Sequence, residues 1–353
     1  MSVQVNFNQA VNLIATLGSQ VTFMLRGAPG QGKSSILKAL SKLMPDYHVA
    51  YVDCANLDLG DLAMPVVDRE TMTTHYAPSA RFGVARGQTK PVLLMLDELT
   101  KAPKPVFNML LPVCLEHRIG DVPLPVGSKV FATGNLDTDG VGDTMSAIAY
   151  NRMTVCDYAN ITAEEFIAWG IENDIDPTIL KFANDEPELF ERYDALTNPR
   201  NPHVFNPLTG NTKTFWSPRS AEKASHIVKH RHLLGEAMLP ALVGTIGEPA
   251  ARLLEAAIAL DDQLTPLAAI ERDPDGAKLP DGVAAYFMMA FRLVARSTEA
   301  NLPAICKYVK RWESFEAGHL FVVRMCASPS KLKFLTRCRE FTELSSKQSS
   351  YVK

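Results

Sequence analysis

Two apolar patterns alternate along the first third of the chain. Val21–Leu25, His48–Val52, Pro91–Leu96 and Lys129–Ala132 are short, nearly continuous apolar runs. Runs of this length without polar alternation predict strands covered on both faces. Between them the spacing changes to that of a helix. Residues 7–18 (FNQAVNLIATLG) predict a short amphipathic helix ended by Gly18, and Ser35–Leu43 carries Ile36, Leu37, Leu40 and Leu43 on one face before Pro45 closes it. Pro105–Leu115 predicts a third helix, with Pro105 suited to the first turn and Pro112 expected to kink it or end it early. Residues 57–90, with Gly60, Pro65, Pro78 and Gly83, read as irregular apart from a hairpin over Val66–Tyr76. Strands that alternate with helices predict a parallel sheet with helices on both faces, an α/β fold.

Strand patterns fade after about residue 160. Ile161–Trp169, Thr178–Phe182, Arg219–Leu234, Pro249–Asp262 and Gly282–Arg296 have helical spacing, whereas Asn198–Trp216, rich in Asn, Pro and Thr, reads as a long loop. The expected organisation is an α/β domain over 1–158, a helical segment over 159–236 and a helical C-terminal extension over 237–353. The polar tail from Ser345 to Lys353 is expected to fray. The most apolar stretch, Val283–Val294, contains Arg292 and is too short to cross a bilayer, so no membrane insertion is expected. Its stripe of Tyr286, Phe287, Met288, Met289 and Phe291 reads as helix core.

Composition narrows the class without naming an activity. With 46% hydrophobic and 21% charged residues, bulk disorder is excluded. The net charge of −3 is unevenly spread: acids gather over 157–194, and from residue 301 onward Lys and Arg outnumber Asp and Glu. That basic end reads as a solvated helical surface, with an acidic partner or nucleic acid as the alternative. The six cysteines form no Cys-x-x-Cys pair, which predicts a reducing compartment and no zinc site. Residues Met1–Leu13 lack the pattern of a signal peptide, so a cytoplasmic location is expected. His226, His230 and His232, interleaved with Lys229 and Arg231, read as a solvated basic face rather than metal ligands.

The chemistry gathers at three strand ends. Gly27-Ala28-Pro29-Gly30-Gln31-Gly32-Lys33-Ser34 has the G-x-x-x-x-G-K-[ST] spacing between a strand and a helix. Glycines there let backbone N–H groups close around phosphates, and the following helix turns its positive end toward them. Lys33 is expected on the β- and γ-phosphates of ATP and the Ser34 hydroxyl on Mg²⁺. The run Val92–Leu96 ends in Asp97 and Glu98. Asp97 is expected to hold Mg²⁺ through water, and Glu98 to polarise the attacking water. The third buried run ends in Thr133-Gly134-Asn135, whose amide suits the attacking water or the γ-phosphate.

With these motifs the chain resembles an AAA+ ATPase of the MoxR and dynein-related branch. The likeness runs from Phe23 to Leu234 and rests on Tyr76-Ala77-Pro78-Ser79-Ala80, Asp97-Glu98-Leu99-Thr100-Lys101-Ala102, Leu110–Glu116 and Phe131-Ala132-Thr133-Gly134-Asn135. A cobaltochelatase-like motor subunit is a close variant. The resemblance implies a five-stranded sheet, a helical lid over 159–236, and Asn135 as sensor 1. It implies that Arg152, in Asn151-Arg152-Met153, is the arginine finger, and that Arg219, in Ser217-Pro218-Arg219, is sensor 2. Met153 stands where the family has Phe, and Leu136 where a proline commonly follows the asparagine. The resemblance further implies a homo-oligomer, a hexameric ring with nucleotide between subunits. Its partner would be a protein client or a von Willebrand A-domain protein. The hairpin lies where this branch places loops facing the central pore. A nucleic-acid-linked motor of a restriction or phage DNA-processing system is the alternative, supported by the basic C-terminal end.

Overall fold

The computed structural model describes residues 3–85, 87–135, 151–191, 201–206 and 214–349. The described residues divide into two compact units, Met1–Ile161 and Thr162–Lys353.

The first unit is an α/β domain. Its strands are β1 (Gln4–Val5), β2 (Phe23–Arg26), β3 (His48–Asp53), β6 (Val92–Asp97), β9 (Lys129–Gly134) and β10 (Thr154–Tyr158). They form a parallel six-stranded sheet in the order β1-β10-β2-β9-β6-β3. The continuous apolar runs occupy the places they predict, since every residue from Val92 to Leu96 is buried. Helix α1 (Phe7–Leu17) begins with a capping box between Asn6 and Gln9 and ends at Gly18. With α2 (Ser35–Leu43) it packs on one face of the sheet, against Phe23, Leu25, Leu93, Met95 and Phe131. Helix α3 (Lys104–Glu116) belongs to the cluster on the other face, with Val106, Leu110 and Val113 beside Leu94, Leu96 and Val130.

Three details differ from the expectations. Helix α3 runs through Pro112 without ending. A proline there removes one helical hydrogen bond, but apolar residues on both sides of it, Val106, Leu110, Val113 and Cys114, stay buried. The sheet has six strands where the resemblance implied five, because two that no apolar run announced, the two-residue β1 and the half-polar β10, join the four apolar runs. The hairpin is longer than read: β4 (Ala63–Asp68) pairs antiparallel with β5 (Thr73–Pro78). It stands beside a second, short hairpin of β7 (Arg118–Ile119) and β8 (Val122–Pro123), and the Tyr76 N–H donates to Asp121 Oδ2 at 2.8 Å.

Every regular element described in the second unit is a helix. Helix Pro177–Asp185 packs against Glu248–Asp262 and Val283–Arg296, and the last of these packs against Phe315–Ala327. The apolar stripe around Met288, Met289 and Phe291 is core, as its spacing implies. Arg292, the charge within that stretch, bonds Asp261, whose carboxylate also pairs with Arg231 at 2.8 Å. Helix Arg339–Ser349 carries order into the segment expected to fray, because Phe341 and Leu344 are buried. Part of the Asn198–Trp216 loop, and residues 350–353, lie outside the described residues. No helix among the described residues is long and apolar enough to cross a membrane.

Candidate active site

Parallel strands deliver their C-terminal ends to one edge of the sheet, and the topology decides which ends are neighbours. β9 lies between β2 and β6. The phosphate-loop strand is therefore separated from the Asp97–Glu98 strand by the strand that leads into Asn135. The loop itself leaves β2 at Arg26, with the Gly27 N–H donating to the Gly134 carbonyl at 3.1 Å. Gly30 and Gly32 take φ values of 77° and 74°, a left-handed backbone that a side chain resists. Lys33 Nζ donates to the loop carbonyls of Gly27 at 2.5 Å and Ala28 at 2.9 Å. Its ammonium thus lies inside the curve of the loop. The Gln31 amide oxygen accepts the Ile161 N–H at 3.1 Å, and Ser34 opens α2.

Hydroxyls organise the two acids. Thr133 donates to Asp97 Oδ1, and its oxygen accepts the Glu98 N–H at 3.1 Å. Tyr51 Oη donates to Asp97 Oδ2 at 2.8 Å, and Ser34 Oγ stands 3.4 Å from that oxygen. Burial, followed by the Asp97, Asp53 and Glu98 carboxylates, pushes the Tyr51 phenol above its ordinary range, so it remains a donor. Glu98 adopts φ 52° and ψ 38°, a left-handed conformation uncommon outside glycine, which turns the chain sharply after the buried strand. Its carboxylate pairs with Lys101 Nζ at 2.7 Å. Asn135 is buried directly after β9.

The structure brings together Gly27, Ala28, Pro29, Gly30, Gln31, Gly32, Lys33, Ser34, Asp97, Glu98 and Asn135 at one sheet edge. It does not bring Arg152 there. β10 pairs Thr154 with Phe23 and Asp157 with Arg26, so Arg152 precedes the opposite, N-terminal end of that strand. It is exposed, while Met153 is buried with Leu96, Leu99 and Val130. The side chain that follows the arginine therefore packs inward, as the family's Phe would. Arg219 is exposed on helix Pro218–Lys229 of the second unit, whose N-cap is Ser217 with Ser220 completing the capping box. Leu136 lies outside the described residues. Sequence reasoning missed Tyr51, Lys101 and the bridging role of Thr133. Only Thr133, a hydroxyl at the end of an apolar run, left a local signal.

This geometry coincides with a family model. Residues 22–126 match the AAA domain of the dynein-related subfamily. The matched stretch of this AAA domain spans the phosphate loop and the Asp97–Glu98 strand. A comparison with curated proteins found no match. Among solved structures, the chain is similar to NtrX from Brucella abortus in complex with ADP: 12% identity, 98% of this chain and 67% of that chain covered, TM-score 0.41. It is also similar to the RuvB Holliday junction branch migration motor of Thermotoga maritima: 13% identity, 73% and 70% covered, TM-score 0.37. Likenesses this distant add nothing to the topology already described.

Proposed function

We propose that the chain binds ATP with Mg²⁺ and hydrolyses it, as an AAA+ motor that remodels or assembles a partner protein. The observation that carries this reading is the meeting of three strand ends on one edge, supplying a phosphate loop, a pair of acids and a buried amide. The donor set suits the metal: Ser34 Oγ and Asp97 Oδ2, two hard oxygens 3.4 Å apart, fit a magnesium ion that keeps several waters. Bound there, Mg²⁺ supplies positive charge to phosphate oxygens. The residues of the chain do the rest. Lys33 exchanges the Gly27 and Ala28 carbonyls for phosphate oxygens. The loop N–H groups hold the remaining phosphate charge. Glu98 takes the proton of the attacking water, with Asn135 orienting that water.

By the same resemblance Arg152 and Arg219 complete this reading. Arg152 serves a neighbouring subunit of a homo-oligomeric ring, by resemblance a hexamer, and Arg219 its own subunit's nucleotide. The partner is a protein client or, as motors of the MoxR type often have, a von Willebrand A-domain protein. Several basic residues near the C-terminus are engaged within the chain. Lys310 and Arg339 both pair with Glu343, Arg337 pairs with Glu299, and Lys331 is buried on the Ser297 carbonyl.

The reading is tested first at Lys33. Lys33→Ala removes a charge-assisted interaction with the phosphates, and ATP affinity is expected to fall about ten- to a hundredfold. Calorimetric titration of ATP into the variant measures it. Unchanged affinity would remove the phosphate-loop assignment.

A further inference from the structure

Tyr51 belongs to no motif, yet its hydroxyl reaches the centre of the site. β3 is an edge strand, paired in parallel with β6 so that Tyr51 lies opposite Met95 and Asp53 opposite Asp97. Side chains alternate along a strand, so Val49, Tyr51 and Asp53 share the face of Leu93, Met95 and Asp97. That is the face on which α2 packs, with Ser34 at its start. The Tyr51 ring runs along this edge half exposed, and only its tip enters the site, 2.8 Å from Asp97 Oδ2.

The two oxygens of Asp97 are therefore held from opposite sides. Thr133, on the strand to one side of β6, holds Oδ1, and Tyr51, on the strand to the other side, holds Oδ2. Held at both oxygens, the Asp97 carboxylate cannot turn about χ2 without breaking both bonds. The oxygen that Tyr51 fixes is the one 3.4 Å from Ser34 Oγ. From this we infer that Tyr51 is a positioning residue for Mg²⁺: it holds Asp97 Oδ2 toward Ser34 and so sets the metal affinity of the nucleotide site. The inference rests on the reading of Gly27–Ser34 and Asp97 as a Mg²⁺–ATP site.

Tyr51→Phe removes that hydroxyl and keeps the ring. Mg²⁺ is titrated calorimetrically into wild type and variant, each saturated with a non-hydrolysable ATP analogue. The expected result is an affinity for Mg²⁺ about tenfold weaker in the variant, as for loss of a hydrogen bond to a charged group. Affinity for the analogue in EDTA should match wild type. The Mg²⁺ concentration for half-maximal ATPase should rise in parallel, with the rate at saturating Mg²⁺ little changed. Val49→Ala, on the same face of β3, is the control and should leave the metal affinity unaltered. Equal metal affinities for Tyr51→Phe and wild type would overturn the inference while leaving the ATP reading intact. So would an equal shift in Val49→Ala, or weakened analogue binding in EDTA, since each would signal general damage to the edge strand. Wild type that bound neither the analogue nor Mg²⁺ would overturn the ATP reading itself, and the role of Tyr51 with it.

Discussion

Glu98→Gln is expected to bind ATP as tightly as wild type and to turn it over about 10²–10⁴-fold more slowly, the usual loss when a general base is removed. Binding survives for local reasons. Lys33, Ser34 and Asp97 are untouched, and the bond from residue 98 to Thr133 uses the main-chain N–H, which glutamine retains. The backbone at 98 already holds a left-handed conformation, and glutamine resists it no more than glutamate does. The substitution does remove the ion pair with Lys101, but both side chains are partly exposed, 40% for Glu98 and 27% for Lys101. Such a pair adds little to stability, so the melting temperature should hardly move. Steady-state phosphate release together with a nucleotide-binding titration separates the two effects. Turnover at the wild-type rate would show that another group activates the water.

How far the sequence discloses such a site depends on burial. Val92–Leu96 and Lys129–Gly134 are covered on both faces, so their apolar residues run without interruption and announce central strands. β10 does not, because Thr154, Val155, Cys156 and Asp157 are only partly covered or exposed and alternate with no clear period. β1 is too short to carry any pattern. The acids and the phosphate loop are legible for a different reason: their spacing is fixed by chemistry within one stretch of chain. Tyr51 has no such local mark. Its bond to Asp97 spans 46 positions and arises only when β3 and β6 pair, and in His48–Asp53 it looks like any exposed aromatic of an edge strand. Pro112 teaches the same lesson in reverse, since a local rule predicted a break and the buried face of α3 kept the helix whole.

Arg152→Ala is expected to bind ATP normally and to hydrolyse it about 10³-fold or more slowly, the scale on which a guanidinium supplied to a transferring phosphoryl group acts. The position argues for action on a neighbour. Thr154 pairs beside Phe23 and Asp157 beside Arg26, so the length of β10 separates Arg152 from the edge where its own phosphate loop begins. At about 3.3 Å per residue that is roughly 16 Å, beyond the reach of one side chain. Met153, buried in the core, fixes the backbone and leaves Arg152 facing outward, exposed. Mixing decides between sharing and local action. A subunit with Arg152→Ala keeps its own Glu98, and a subunit with Glu98→Gln keeps its Arg152. In a mixed ring some interfaces join an intact Glu98 to an intact Arg152 from the next subunit. Partial recovery of ATPase from two inactive variants is the expected outcome. If mixed rings form, as mass measurement can verify, and activity stays absent, Arg152 does not complete its neighbour's site.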